Sequence, residues 1–329
     1  MLEKQLQNQL IELHKECFND GDYAEFFFAH RLPSGKAFIV EENGSPLSAC
    51  YARFFPIVLG DKSLTIPFLT GVATSPRHRY KGLARKVVEM AKEELKNEGY
   101  PFVLLHPFNH DFYRKLGFET INYKTAYQAS DVPALGVEFK QFFKADLPLV
   151  AELYNKLISA NSCYKKRDLD EFELLIGNSL EHGGLGYLIY ENGVPKGYVW
   201  CEDGVCQEAL VERVELLDGF PLYRDYTLTL MGGEIDYSMG ALLDLNSLLQ
   251  SIPYCKETSG KVIFTFKGIN YQLIVENGSF LSLKVASSNG TELNEKELIA
   301  ICLGQGDRFK NNPFKNIIPT YNLACYEIY

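Results

Sequence analysis

Gly71-Val-Ala-Thr-Ser-Pro-Arg-His-Arg-Tyr-Lys-Gly-Leu-Ala-Arg-Lys-Val-Val88 reads as strand, basic loop and helix in immediate succession. Phe68 to Ala73 is a short apolar run fit for a buried strand, and Pro76 closes it. From there the apolar positions Leu83, Val87, Val88, Ala91 and Leu95 recur at helical spacing, with Arg85, Lys86, Glu89, Lys92 and Glu93 turned the other way. Between strand and helix lie Arg77, Arg79 and Lys81, with Gly82 at the helix start. Residues 71–88 hold five Lys or Arg and no acid, in a 329-residue chain whose net charge is −9. Such a local inversion of sign calls for an anion.

A helix N-terminus leaves its first backbone N–H groups unpaired and carries about half a positive charge. Gly82 permits close backbone approach, and the loop cations add to the field. The stretch is therefore a candidate phosphate or pyrophosphate cradle. It lacks the Gly-x-x-x-x-Gly-Lys-Ser/Thr of a P-loop and the Gly-x-Gly-x-x-Gly of a dinucleotide turn. On its own it reads equally as a solvated basic helix start, and the residues downstream of the helix decide between the two.

A second strand, Phe102 to Leu105, is followed by Asn109-His-Asp-Phe-Tyr-Arg-Lys-Leu-Gly-Phe118. Asn109 suits a helix cap, Arg114 and Lys115 its last turn, and Gly117 a left-handed stop. Strand, Arg79-x-x-Gly82-x-Ala84, helix, strand, then Phe112-Tyr113-x-x-x-Gly117-Phe118 resembles the GNAT superfamily of acetyl-CoA-dependent N-acetyltransferases. The resemblance covers roughly residues 35–125.

It implies a division of labour. Acetyl-CoA would be the co-substrate, with no metal. Its phosphates would be held by the backbone of Arg79, Tyr80, Lys81, Gly82, Leu83 and Ala84, with Arg77 and Arg79 as charge partners. Val72, Ala73 and Thr74 would pair with the pantetheine arm and aim an N–H at the thioester carbonyl, a donor worth about 3 kcal/mol. Phe108 and Asn109 would sit where the second strand splays to admit the cofactor. Tyr113 occupies the position of the family's general acid: a phenol near pKa ~10 can protonate a leaving thiolate whose conjugate acid lies near ~8.5. His106 and His110 are nearby candidate bases, His110 being read as a capping or surface residue and His78 as a loop residue.

The rest of the chain has the composition of an ordinary globular protein. No apolar run approaches the ~18 residues of a membrane span, and the first residues lack an apolar signal core. Eight scattered cysteines without Cys-x-x-Cys read as reduced thiols in a cytoplasmic protein. The lack of a membrane-length apolar run argues against a membrane partner, and the acidic balance argues against nucleic acid and favours cationic partners. Residues 5–19 form an amphipathic helix with Leu6, Leu10, Ile11, Leu13 and Phe18. Residues 37–51 read as a hairpin about Asn43-Gly44, and strands continue through 52–58 and 64–72.

Phe38-Ile-Val-Glu-Glu-Asn-Gly-Ser-Pro46 is echoed by Leu188-Ile-Tyr-Glu-Asn-Gly-Val-Pro195, each with a helix upstream. The echo reads either as a decayed second copy of the first domain or as a common hairpin turn used twice. Residues 242–252 then suggest an apolar helix, 261–267, 271–275 and 280–285 a meander, and 295–302 a closing helix.

The three parts together resemble the "enhanced intracellular survival" branch of the superfamily. The expected fold is α+β: tandem GNAT-like folds, each a mixed, mostly antiparallel sheet with flanking helices, followed by a sterol-carrier-like domain. The expected domains are 1–128 (catalytic), 129–215 (degenerate) and 216–329 (sterol-carrier-like). In that branch the terminal α-carboxylate, here on Tyr329, accepts the amine's proton, with Glu327 as the nearest substitute. Relatives assemble into rings, implying a homo-oligomer. The resemblance implies acetyl transfer to a primary amine of an aminoglycoside- or polyamine-like molecule or of lysine; the alternative is a non-catalytic carrier of an apolar ligand in the C-terminal domain.

Overall fold

The computed structural model describes residues 4–18, 23–160, 163–222, 228–231, 234–320 and 323–324. The chain divides into two compact units: one built from residues up to Ile121 together with Ser238–Thr320, the other from Asn122–Tyr237. Sheets in both are mixed or antiparallel with helices against them, an α+β architecture.

In the first unit, helix α1 (Lys4–Phe18) buries Leu10, Leu13 and His14. A short turn of helix, Tyr23–Phe26, continues as a wider π turn to Arg31. Strands β1 (Lys36–Glu42) and β2 (Ser45–Leu59) form the expected hairpin, with Asn43 and Gly44 at φ of 51° and 75°. These left-handed values are those a type I′ turn needs. Strand β3 (Lys62–Thr74) returns antiparallel to β2. Near its end the register slips: Ala73 pairs with Ala49 and Thr70 with Tyr51, so Gly71 and Val72 together face Cys50. This is a β-bulge, and Gly71 supplies it at φ 59°.

Helix α2 (Leu83–Asn97) follows, burying Val87, Val88, Ala91 and Leu95 against the sheet, the stripe that its spacing predicts. Each of the larger of these contributes about 2 kcal/mol by leaving water. Strand β4 (Phe102–Leu105) runs parallel to β3, pairing at Phe68–Leu104 and Leu69–Leu105. Beyond Leu105 β4 ends while β3 runs on to Thr74, so the two part. The other edge of β4 is covered by Met239–Leu242, antiparallel, which also pairs with Glu119–Thr120. Leu242, expected in a helix, therefore ends a strand; the helix begins at Leu245, capped by Asp244 accepting from the Ser247 N–H. The meander Gly260–Phe266, Ile269–Glu276 and Ser279–Val285 is antiparallel, with Thr291–Leu293 added in parallel to its first strand. The helix Glu295–Ala300, with an Asn294 cap, runs on as a π turn to Gln305.

The second unit holds a four-stranded antiparallel sheet of Val137–Phe142, Leu185–Glu191, Val194–Glu202 and Val205–Val211. Its central hairpin turns at Asn192-Gly193 with φ of 50° and 79°, the same turn as Asn43-Gly44. Helix Leu147–Ile158 packs on it. Inside, Arg167 donates to both carboxylate oxygens of Glu208 at 3.0 and 2.8 Å, and Tyr198 donates to the same group. Both members of the ion pair are fully buried.

Candidate active site

Where β3 and β4 part, the edge of β3 from Val72 to Thr74 is left open to a cavity of about 690 Å³. Three features build it. Ser48 on β2 donates to the Ala73 carbonyl at 2.7 Å and meets the Thr74 hydroxyl at 2.9 Å, fixing the end of β3. The Thr74 carbonyl accepts from Arg79 Nε at 3.3 Å and from Cys17 Sγ at 3.2 Å, folding the basic loop back over the strand end. Gly82, at φ 77°, then caps α2, and a Cβ there would meet nothing within 4 Å. Gly82 is thus required by its backbone conformation, and its open side adjoins the cavity. The first residues of α2, Leu83 and Ala84, line the cavity with Arg79 and Arg85, and a helix N-terminus beside cations favours an anion. Burial pushes the Cys17 thiol above its ordinary range, with Arg79 partly offsetting it.

The cavity is lined by Val72, Ala73, Thr74, Arg79, Tyr80, Gly82, Leu83, Ala84 and Phe108, nine of the expected cofactor residues. Lys81 and Asn109 do not line it. Lys81 is exposed, and Asn109 caps helix α3 (His110–Arg114), its side chain accepting from the Phe112 N–H at 2.9 Å. Tyr80 stands fully exposed at φ 63°.

A second cavity, about 350 Å³, shares Phe18, Val72 and Phe108 with the first. Tyr113 lines it and is 3% exposed, wedged edge-on against Phe108, Phe112 and Phe118 with ring centroids 5.6, 5.0 and 5.8 Å away. Its helix is pinned at the far end. Gly117 turns left-handed at φ 80°, the Phe118 N–H returns to the Tyr113 carbonyl at 3.1 Å, and Lys92 donates to the Leu116 carbonyl at 2.8 Å.

His106 also lines this second cavity, whereas His78 and His110 line neither. Tyr329 and Glu327 lie outside the described residues. Sequence reasoning missed the contribution of α1 and the segment after it: His14, Cys17 and Phe18, then Tyr23 and Phe27, all border one or both cavities. The signal was present in α1, where His14, Cys17 and Phe18 share a face with buried Leu10 at helical spacing.

Residues 2–121 match the family model described as an acetyltransferase (GNAT) domain. This stretch is an N-acetyltransferase domain. Solved structures resembling the whole chain share its fold at low sequence identity. A probable N-acyltransferase from Enterococcus faecalis V583 superposes with a TM-score of 0.75 at 13% identity, covering 100% of this chain and 98% of its own. A GCN5-related N-acetyltransferase from Anabaena variabilis gives 0.69 at 14%, covering 97% and 92%. Eis1 from Mycobacterium abscessus gives 0.68 at 10%, covering 100% and 99%. No curated protein matches the sequence. The larger cavity, with its helix N-terminus and open strand edge, lies in the stretch that matches this domain, and acyl transfer is the chemistry the domain serves.

Proposed function

We propose that the protein transfers acetyl from acetyl-CoA to a primary amine, with Tyr113 as the general acid. The observation that carries this is the meeting of the two cavities at Val72 and Phe108, with buried Tyr113 lining the smaller one. Arg79 to Ala84 hold the phosphates and the β3 edge at Val72–Thr74 holds the pantetheine arm. A backbone N–H of the bulge polarises the acetyl carbonyl, and Tyr113 gives its proton to the departing sulfur.

The acceptor is a cationic small molecule of the aminoglycoside or polyamine kind, or a lysine side chain. The chain's net charge of −9 and the aromatic side chains of Phe18, Tyr23 and Phe27 lining the smaller cavity support such a guest. Residues 129–215 are a degenerate second acetyltransferase domain, a reading supported by the repeated Asn-Gly hairpin and by the lack of an Arg-x-x-Gly-x-Ala loop there. Residues 216–329 are a sterol-carrier-like domain, and the protein works as a cytoplasmic homo-oligomer; sedimentation as a monomer alone would remove the last point.

The test is acetyl-CoA-dependent thiol release with polyamines, aminoglycosides and lysine peptides. Turnover that falls about 10²-fold in Tyr113→Phe, with coenzyme A still bound, is the expected result. Absence of coenzyme A binding, with a copurifying lipid, would replace this reading by that of an apolar carrier.

A further inference from the structure

The smaller cavity contains a residue that no motif marks. We propose that His14 receives the proton lost by the acceptor amine, an assignment that rests on the acetyltransferase reading above. His14 sits near the end of α1, is 5% exposed, and lines the cavity together with Tyr113, Thr70 and Val72. Its Cε1 lies 3.5 Å from the position a Cβ would take on Gly71, so the imidazole stands over the bulge, one residue from Val72. Packing holds the ring in place. Phe27 stacks on it with centroids 5.6 Å apart and planes 16° apart, Phe28 meets it edge-on at 6.1 Å, and Phe18 lies at 4.5 Å.

Among the described residues lining the cavity, the imidazoles are those of His14 and His106. They differ in position. His106 follows β4, on the segment that carries Phe108 and leads to Tyr113, the side assigned to the leaving sulfur. His14 comes from α1 and stands against the bulged residues of β3, from which the acetyl carbonyl would be polarised. Two groups lining one cavity can divide the work of acyl transfer, because the two protons move at different atoms. Among the described residues, the titratable groups around His14 include Cys17 on its own helix, Tyr23 from the following turn, Tyr51 on β2, His106 after β4 and Tyr113 on α3. Arg31 donates to the Tyr23 hydroxyl at 3.1 Å, behind the cavity wall.

In the step itself the amine nitrogen bonds to the acetyl carbonyl carbon and the carbon–sulfur bond breaks. The nitrogen's proton passes to His14, and the Tyr113 phenol proton passes to the sulfur. One proton moved from imidazolium to phenolate, through water, restores both groups. Acetyl amide and free thiol are the net products.

The experiment compares wild type, His14→Gln, His106→Gln and a chain lacking Tyr329, reading kcat and KM against pH and acetyl-CoA affinity by calorimetry. Wild type should lose kcat/KM on the acid side of a single-proton limb, where the base becomes protonated. His14→Gln should lower kcat about 10²-fold, abolish that limb, and leave acetyl-CoA Kd within about twofold. His106→Gln should keep the limb. Wild-type turnover with kcat and limb retained in His14→Gln, or lost only on removing Tyr329, overturns the assignment while leaving the acetyltransferase reading intact. Absence of turnover and of coenzyme A binding in wild type overturns both. Should His14→Gln fail to fold, diethyl pyrocarbonate on wild type serves instead: activity should fall in proportion to His14 modification mapped by mass spectrometry. Full modification with activity unchanged would refute the role.

Discussion

The ring of Tyr51 stands against Gly71: a Cβ on that glycine would lie 2.8 Å from Tyr51 Cδ2 and 3.0 Å from Cε2. Tyr51 is itself fully buried between Phe27, Phe28 and β3, so it has little room to withdraw. Gly71 also holds φ 59°, which costs a non-glycine residue roughly 1–2 kcal/mol. Gly71→Ala should therefore destabilise the protein by more than that backbone cost alone, read as a shift of the denaturation midpoint. It should also lower kcat, because the bulge presents Val72 to both cavities. A Gly71→Ala, Tyr51→Leu double variant should recover part of the stability, since the shorter side chain frees the space.

The proposed cofactor loop separates conformation from charge. Gly82→Ala meets no steric obstacle but must hold φ 77°, whereas Gly82→Asn carries a residue that tolerates this region better. KM for acetyl-CoA should rise several-fold in Gly82→Ala and less in Gly82→Asn. Arg79→Ala should weaken acetyl-CoA binding about tenfold at low salt with a smaller effect at high salt, because part of its contribution is screened. Steady-state kinetics at two ionic strengths distinguish the cases.

Cys17 lines the larger cavity with its thiol donating to the Thr74 carbonyl. Burial raises its pKa, so the thiolate fraction at pH 7.5 is lower than for an ordinary cysteine. Alkylation of Cys17 by iodoacetamide should be slow at that pH, accelerate as pH rises toward the elevated pKa, and be suppressed by acetyl-CoA. Peptide mass spectrometry with a Cys17→Ser control reads the site directly. Rapid labelling at pH 7 that acetyl-CoA leaves unchanged would contradict this placement.

In the second unit, Glu208→Gln would remove the carboxylate that pairs with the fully buried Arg167 guanidinium. Breaking such a pair on one side costs about 3–5 kcal/mol. The expected outcome is early loss of the second unit in chemical denaturation, while the acetyl-CoA site in the first unit keeps its affinity. Replacing both partners, Arg167→Met with Glu208→Leu, should cost much less, because neither charge is then stranded.

Much of this was legible in the chain because it is local. The stripe Val87, Val88, Ala91 and Leu95 predicts a helix that buries that face. Asn43-Gly44 and Asn192-Gly193 predict hairpins, since few residues accept consecutive left-handed values. Arg79-x-x-Gly82-x-Ala84 predicts the loop that borders the larger cavity. What escaped depends on contacts between distant segments. Met239–Leu242 is only four residues long, has no alternating pattern, and becomes a strand because β4 has an edge to cover. Leu242 and Leu243 read as helix because leucines continue beyond them, yet Asp244 sets the helix start. His14 looks like an ordinary residue of an amphipathic helix until α1 is laid against the bulge of β3.

The pairing of Met239–Leu242 with β4 bears on how the protein is made. During synthesis, Phe102–Leu105 emerges long before residue 239, and at about 5–20 residues per second its outer edge waits on the order of 10 s for its partner. An uncovered strand edge recruits other strands. The acetyltransferase fold is therefore completed only once the ribosome has translated the whole intervening unit. A fragment ending at residue 121 would carry every cofactor motif and still present a sticky, unfinished sheet to the cell.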